Sequence, residues 1–181
     1  NLNKNLRHFV SECKINNWDL YIIGDRKTPI NSNNKNRFYY NIFQQKKTNF
    51  KFAKICPENT YSRKNIGYLL SYLNGNEIIV ETDDDNIPKK KFFDAIKLRH
   101  KVKKVTNKNW INIYDLFVKQ KKDDIWPRGL PLDKIYCKSE IGKLCYEPTP
   151  IRQNLADLDP DVDAIYRLIF KESTKFKTLE K

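Results

Sequence analysis

The residues best suited to chemistry are three consecutive carboxylates, Asp83, Asp84 and Asp85, set directly after the apolar run Ile78 to Val80. Adjacent like charges repel one another, so a folded chain keeps them close chiefly where a cation sits among them. A short buried strand that ends in acids is how an open α/β sheet presents ligands at its carboxyl edge. Hard oxygen ligands suit Mg²⁺ or Mn²⁺, ions that commonly take substrate phosphates as their other ligands. The plain alternative is a solvated acidic turn.

A second group lies one helix upstream. Ser62 reads as an N-cap, and Ile66, Leu69, Leu70 and Leu73 fall at i, i+3, i+4 and i+7. Asn74-Gly75 then supply a stop. Arg63 and Lys64 occupy the first turn of this helix, where each cation costs roughly 0.3–1 kcal/mol against the helix dipole. A docked phosphate offsets that cost by sharing the side chains and the free N–H groups. Side chains turned into water are the bland version. One βα turn's worth of chain joins this basic helix start to the acidic strand end, and that pairing favours phosphate.

Two further candidates lie toward the C-terminus. Arg128, between Trp126-Pro127 and Gly129, is placed for a bidentate grip on phosphate or carboxylate. Its bland version is a loop arginine paired to an acid of the series Asp157, Asp159, Asp161 and Asp163. That series is no EF-hand, because counting from Asp157 puts Val162 and Leu168 where Gly and Glu are required. One of its acids could take a proton from an attacking hydroxyl. Asp161 or Asp163 could equally cap a helix over 164–170. His8 and His100 sit in basic helical contexts and receive no role.

The elements expected to position these residues alternate between helix and strand. Leu2, Leu6, Phe9, Val10 and Cys13 predict a helix ending near Asn16-Asn17. Residues 19–24 predict a buried strand with Asp25 just past its carboxyl end, and 31–37 a polar loop. The aromatic stretch 38–43 suggests helical turns, 50–55 a strand, 77–82 the strand into Asp83, and Pro88 the start of another helix with Phe92, Phe93 and Ile96 inward. Residues 110–117 are apolar enough for buried strand or loop. The alternation argues for a three-layer α/β/α, Rossmann-like domain with a mainly parallel sheet, strands 19–24 and 77–82 lying side by side or nearly so.

Length bounds the chain to one domain, 181 residues being enough for a core and too few for two comfortable ones. Aromatics at 13% exclude a disordered chain. Met is absent, so Asn1 is expected to be an internal boundary rather than a start. Nothing reads as a signal peptide or a membrane span, so the expected location is cytoplasmic or peripheral to a membrane. Cys13, Cys56, Cys137 and Cys145 have neither C-x-x-C nor ligand-spaced histidines and read as reduced thiols of an intracellular protein. The net charge of +13 attracts anions, yet its lysines recur in nearly every segment, with clusters at 89–91, 101–104 and 119–122. Nucleic acid, nucleotide phosphates and mere composition bias all fit it.

The stretch 61–88, YSRKNIGYLLSYLNGNEIIVETDDDNIP, resembles the core of a glycosyltransferase-like family that includes the plant STELLO proteins. It is more distantly similar to the reversibly glycosylated polypeptides, which are UDP-arabinopyranose mutases. Three further blocks match in order: DLYIIGDRKTP at 19–29, IWPRGLPLDKI at 125–135 and LADLDPDVDAIYRL at 155–168. The resemblance implies a nucleotide-diphospho-sugar fold of the GT-A type, in which a strand-end DxD motif holds Mn²⁺ or Mg²⁺ against the diphosphate of a sugar nucleotide, UDP-sugar being favoured. It implies Asp83 and Asp85 as the metal end of the site and Asp84 facing ribose or sugar. Asp25 falls at the nucleoside position, with Lys27 and Arg63 where they could meet nucleotide or phosphate. Arg128 and Asp161 become the residues nearest the chemistry. One departure is plain: the family begins with a strand, and this chain opens on the helix expected after it.

Two classes of function follow. The first is a metal-dependent sugar-nucleotide enzyme, a transferase before a mutase, acting on an unidentified acceptor. The second is a basic nucleic-acid-binding domain whose acids are structural. An inactive scaffold of the same fold is a third. The acids discriminate, since a nucleic-acid groove would not set three carboxylates where its ligand should lie.

Overall fold

In the computed structural model, which describes residues 3–28, 37–89, 91–94, 96–106, 110–117, 125–155 and 158–170, the chain divides into two units, Asn1–Ala95 and Ile96–Lys181. The protein is of mixed α/β class, and its described strands form two small sheets of two strands each.

The first unit opens with α1 (Lys4–Ile15), capped by Asn3, whose side-chain oxygen accepts from the Leu6 N–H at 2.7 Å. Its inward face buries Phe9 and Cys13, as the spacing predicts. Burial pushes the Cys13 thiol up to about 11, with the Glu12 charge adding to it. The four cysteines are all free thiols. Strand β1 (Leu20–Ile23) pairs in parallel with β2 (Arg37–Tyr40), Leu20 opposite Arg37 and Ile23 opposite Tyr40. At the end of β1 the Gly24 N–H donates to Tyr40 O at 2.9 Å. A Cβ there would lie 2.8 Å from the Tyr39 hydroxyl oxygen, so glycine lets the loop turn off against that ring. Two short helices follow, α2 (Ile42–Lys46), opened by a capping box of Asn41 and Gln44, and α3 (Lys51–Ile55). A 3₁₀ turn over Tyr61–Arg63, capped by Thr60, leads into α4 (Lys64–Leu73). This helix lies on β1 closely enough that a Cβ on Gly67 would meet Ile23 Cγ1 at 2.9 Å.

The structure departs from the expected elements at four places in this unit. Residues 37–40 are strand rather than helix, because Phe38 to Tyr40 find a parallel partner in β1. Residues 51–55 are helix rather than strand, burying Ala53 against the unit's core. Residues 77–82 form no strand and join no ladder among the described residues, and Ile78, Ile79 and Val80 stay 41–45% exposed. A strand is defined by its partner as much as by its own side chains, and the run lacks one. Among the described residues just after Pro88 turns replace the expected helix, Phe92 N–H reaching Lys89 O at 2.8 Å, although Phe92 and Phe93 do pack edge-on against Phe9. The loop expected over 31–37 lies outside the described residues except for Arg37, which opens β2.

In the second unit β3 (Arg99–Val105) pairs antiparallel with β4 (Ile141–Pro148). The other described elements are the single turn α5 (Tyr114–Phe117), a 3₁₀ turn over Leu132–Lys134 and α6 (Ala164–Ile169), with a core of Tyr114, Ile125, Val162 and Tyr166. Fully buried Asn112 ties these loops together. Its amide donates to Ile125 O at 2.8 Å and Ile135 O at 3.3 Å, and its oxygen accepts from the Tyr114 N–H. Among the described residues, no helix is long and apolar enough to cross a membrane.

Candidate functional site

In the first unit the acids and the start of α4 do come together. Lys64, the first residue of α4, reaches Glu81 Oε1 at 2.6 Å and Asp83 Oδ1 at 2.5 Å. The Tyr68 hydroxyl, one turn along the same helix, donates to Glu81 Oε2. Burial pulls the Lys64 pKa down, but the hydrogen bonds to Asp83 and Glu81 outweigh it and the pKa rises. The Tyr68 phenol is pushed up to about 12, first by burial and then by its bond to Glu81. The next two residues meet the start of α1, Asp84 through its carbonyl and carboxylate and Asp85 through its carbonyl. The Asn3 amide donates to Asp84 O at 3.0 Å and to its carboxylate at 3.3 Å, and the Asn5 amide donates to Asp85 O at 3.1 Å.

Asp25 is occupied with its own loop. Its carboxylate accepts from the Arg26 N–H at 2.7 Å and the Asn59 N–H at 2.8 Å, and its own N–H donates to Thr28 Oγ1. This holds Asn59, whose φ is 54°, in the left-handed region just before the 3₁₀ turn. Lys27 is exposed on the same turn. Asp25 and Asp83 thus converge on one stretch of chain, through Asn59 and Lys64 respectively.

Arg63 has a different place from the one its position suggests. The residue is only 3% exposed. One guanidinium nitrogen donates to Cys56 O at 3.1 Å and Pro57 O at 3.2 Å, and the other to Gln45 Oε1. Gln45, wholly buried, in turn donates to Gly24 O at 2.6 Å and Tyr40 O at 2.7 Å. This pair joins the ends of β1 and β2 to the loop before α4, so the Arg63 side chain is internal framework rather than a group facing a phosphate. A glutamine carries no charge or periodicity signal, and Gln45 gave none in the sequence.

The two later candidates meet in the second unit. Pro127 and Val162 form an isolated antiparallel bridge, with Arg128 N–H to Asp161 O at 3.2 Å and Asp163 N–H to Trp126 O at 2.8 Å. The Arg128 guanidinium then lies 2.7 Å from Asp161 Oδ1, with the side chains 69% and 65% exposed. The Tyr114 hydroxyl donates to Asp161 O at 3.0 Å from the core side. Asp163 caps α6, accepting from the Ile165 and Tyr166 N–H groups. Arg167 pairs with Asp159 at 2.6 Å. Asp157 lies outside the described residues.

No protein-family model matches the chain, and no solved structure does. Curated proteins do. The chain is 25% identical over 173 residues to the probable glycosyltransferase STELLO2 of Arabidopsis thaliana, and 24% identical over 176 residues to the probable glycosyltransferase STELLO1 of the same plant. These stretches cover 84% and 86% of this chain. The chain is similar to these STELLO proteins along most of its own length. It spans 22% of the length of each of these relatives.

The residues that sequence reasoning missed have a readable signal. Glu81 stands two residues before Asp83, so in extended chain both side chains leave on one side. Lys64 and Tyr68 stand at i and i+4, on one face of α4. Among the described residues no three His, Cys, Asp or Glu side chains gather as for a metal ion. What does gather is a pair of carboxylates around a cation, and one or two carboxylates plus phosphates are the usual protein share of a Mg²⁺ site. The donor chemistry is of the kind such an ion takes, and in this structure the two carboxylates hold Lys64.

The cluster has a pH consequence. Hydrogen bonds from Lys64 and then Tyr68 lower the Glu81 pKa from its usual 4.5. A lowered carboxylate contributes stability that is fully present above the unfolded pKa and is lost as pH falls through the folded one. Glu81 is 47% exposed, so solvent screening limits the contribution to about 0.5–1 kcal/mol. Between about pH 7 and about pH 3 the melting temperature of the Glu81→Gln variant is expected to fall less than that of the parent, by a few degrees. Equal falls would remove Glu81 from the pH-sensitive groups.

Proposed function

We propose that this chain forms the donor-binding part of a STELLO-like glycosyltransferase, a GT-A type fold that takes a nucleotide-diphosphate sugar, UDP-sugar being favoured. The observation that supports the reading is similarity along 84–86% of the chain to two proteins named probable glycosyltransferases. The meeting of Glu81 and Asp83 with Lys64, the first residue of α4, agrees with it. In this proposal Asp25 and Lys27 lie toward the nucleoside and Asp84 toward ribose or sugar. Asp83 and Asp85, with Glu81 beside Asp83, supply oxygens for Mn²⁺ or Mg²⁺. When bound, such an ion would supply positive charge against the leaving diphosphate. Asp161 takes the proton of the acceptor hydroxyl, and Arg128 orients Asp161 and meets charge that develops on the substrate.

Thermal shift with UDP, GDP and ADP, each with and without Mn²⁺, tests the reading. A ligand at one hundred times its dissociation constant stabilises by about 2.7 kcal/mol, a rise of several degrees. The expected result is that rise for UDP with Mn²⁺. If no nucleoside diphosphate moves the transition, the donor reading is lost.

One observation favours a second reading. On one face of β3–β4, exposed Arg99, Lys101 and Lys103 stand opposite exposed Pro148, Tyr146 and Leu144, while the acid Glu147 pairs with Lys104 elsewhere. Such a face attracts polyanions. Binding through phosphates alone is blind to sequence and fades by physiological salt. RNA binding that is tight and salt-resistant, with no response to nucleotides, would favour the basic domain over the transferase.

A further inference from the structure

Lys64 is the feature that the donor reading leaves unexplained. A lysine on the first residue of α4 sits at the positive end of the helix dipole, where a cation is unfavourable. Its ammonium is nevertheless held by two carboxylates, Glu81 and Asp83, at 2.6 and 2.5 Å. The Tyr68 hydroxyl holds the other oxygen of Glu81, so Glu81 would keep its orientation if the lysine left. Lys64 is 30% exposed at the helix start, where an anion is favoured, and its ammonium lies 5.2 Å from the centre of the Tyr61 ring. Arg63, the other cation of that turn, is buried on backbone carbonyls and Gln45 and cannot take this part.

Resting on the donor-site reading, we propose that Lys64 is the resident counter-ion of Glu81 and Asp83, that a divalent cation enters by displacing it, and that the freed ammonium then meets the diphosphate the cation carries. An ion arriving alone strands the ammonium beside the positive helix end. An ion arriving with diphosphate gives that ammonium a partner. Lys64 therefore disfavours bare metal and favours the metal–diphosphate pair, which couples the two binding events. The same residue acts with opposite sign in the two, and that is what makes the idea testable.

Electron paramagnetic resonance of free Mn²⁺ reads the first event, and calorimetry with inorganic pyrophosphate in saturating Mn²⁺ reads the second. Pyrophosphate carries the charged part of the donor without its base, so the choice of nucleoside does not enter. In Lys64→Met, Mn²⁺ alone is expected to bind about tenfold more tightly and pyrophosphate about tenfold more weakly than in the parent. Lys64→Arg keeps the charge and should stay near the parent in both. Equal Mn²⁺ affinities in parent and Lys64→Met, or pyrophosphate binding indifferent to the change, overturn the proposal while leaving the donor reading in place. If parent and variants bind neither probe, and the nucleotide panel is also silent, both fall together.

Discussion

Replacing Arg63 with alanine is expected to cost about 3 kcal/mol or more of stability, one of the two largest effects of a single change anticipated in this chain. The guanidinium is buried, and three acceptors depend on it: Cys56 O, Pro57 O and Gln45 Oε1. Removing it leaves the buried acceptors Cys56 O and Gln45 Oε1 without their donor, each worth about 1–3 kcal/mol, takes a part-buried bond from Pro57 O, and opens a cavity besides. Gln45 is then free to rotate, which loosens its bonds to Gly24 O and Tyr40 O at the ends of the parallel pair. Since whole domains are stable by only about 5–15 kcal/mol, the first unit should unfold at clearly lower urea. Arg63→Met restores most of the volume but none of the hydrogen bonds, and should recover a minor part of the loss. A loss under about 1 kcal/mol, accompanied by weaker nucleotide binding, would return Arg63 to the phosphate role that its place in the helix suggests.

Arg63 also shows where the sequence stops being readable. Position alone put it and Lys64 together as two cations at a helix start. The fold separates them, one turned inward on carbonyls and one outward on acids, because consecutive helical residues point about a quarter-turn apart. The helices α1, α4 and α6 were legible since each carries a long apolar period or a side-chain cap: Phe9 and Cys13, Ile66, and Asp163 respectively. The short runs were not. Arg-Phe-Tyr-Tyr and Lys-Phe-Ala-Lys-Ile are each too brief for period to decide between helix and strand, and tertiary partners decided instead. The run before Asp83 has strong β-preferring residues yet no ladder among the described residues, since propensity cannot supply a partner. At the site, Asp83 and Lys64 could be read from chemistry at the element ends. Gln45 and Asn112 could not, because a buried amide looks in sequence like any surface amide.

Replacing Arg128 with alanine is expected to do the opposite of Arg63→Ala, leaving stability nearly unchanged and lowering turnover about a hundredfold. The stability half follows from exposure. Arg128 and Asp161 are paired at 2.7 Å but are 69% and 65% exposed, and such pairs contribute about 0–1 kcal/mol. What fixes this corner is backbone and core: the Pro127–Val162 bridge, the Asp163 N–H on Trp126 O, and the Tyr114 hydroxyl on Asp161 O. None of these uses the guanidinium. A pair that the framework positions but does not need is arranged to be reached by something else. In the proposed transfer that is the acceptor hydroxyl at Asp161 and the developing charge at Arg128, interactions realised in the transition state, so kcat rather than nucleotide affinity should fall. Release of nucleoside diphosphate from the sugar nucleotide measures the first, and thermal shift with UDP and Mn²⁺ the second. Asp161→Ala should fall similarly, and the double variant little further, because residues acting as one unit are not additive. If instead Arg128→Ala lowered the melting temperature as far as Arg63→Ala while sparing turnover, the pair would be a structural clasp and the chemistry would have to be sought elsewhere.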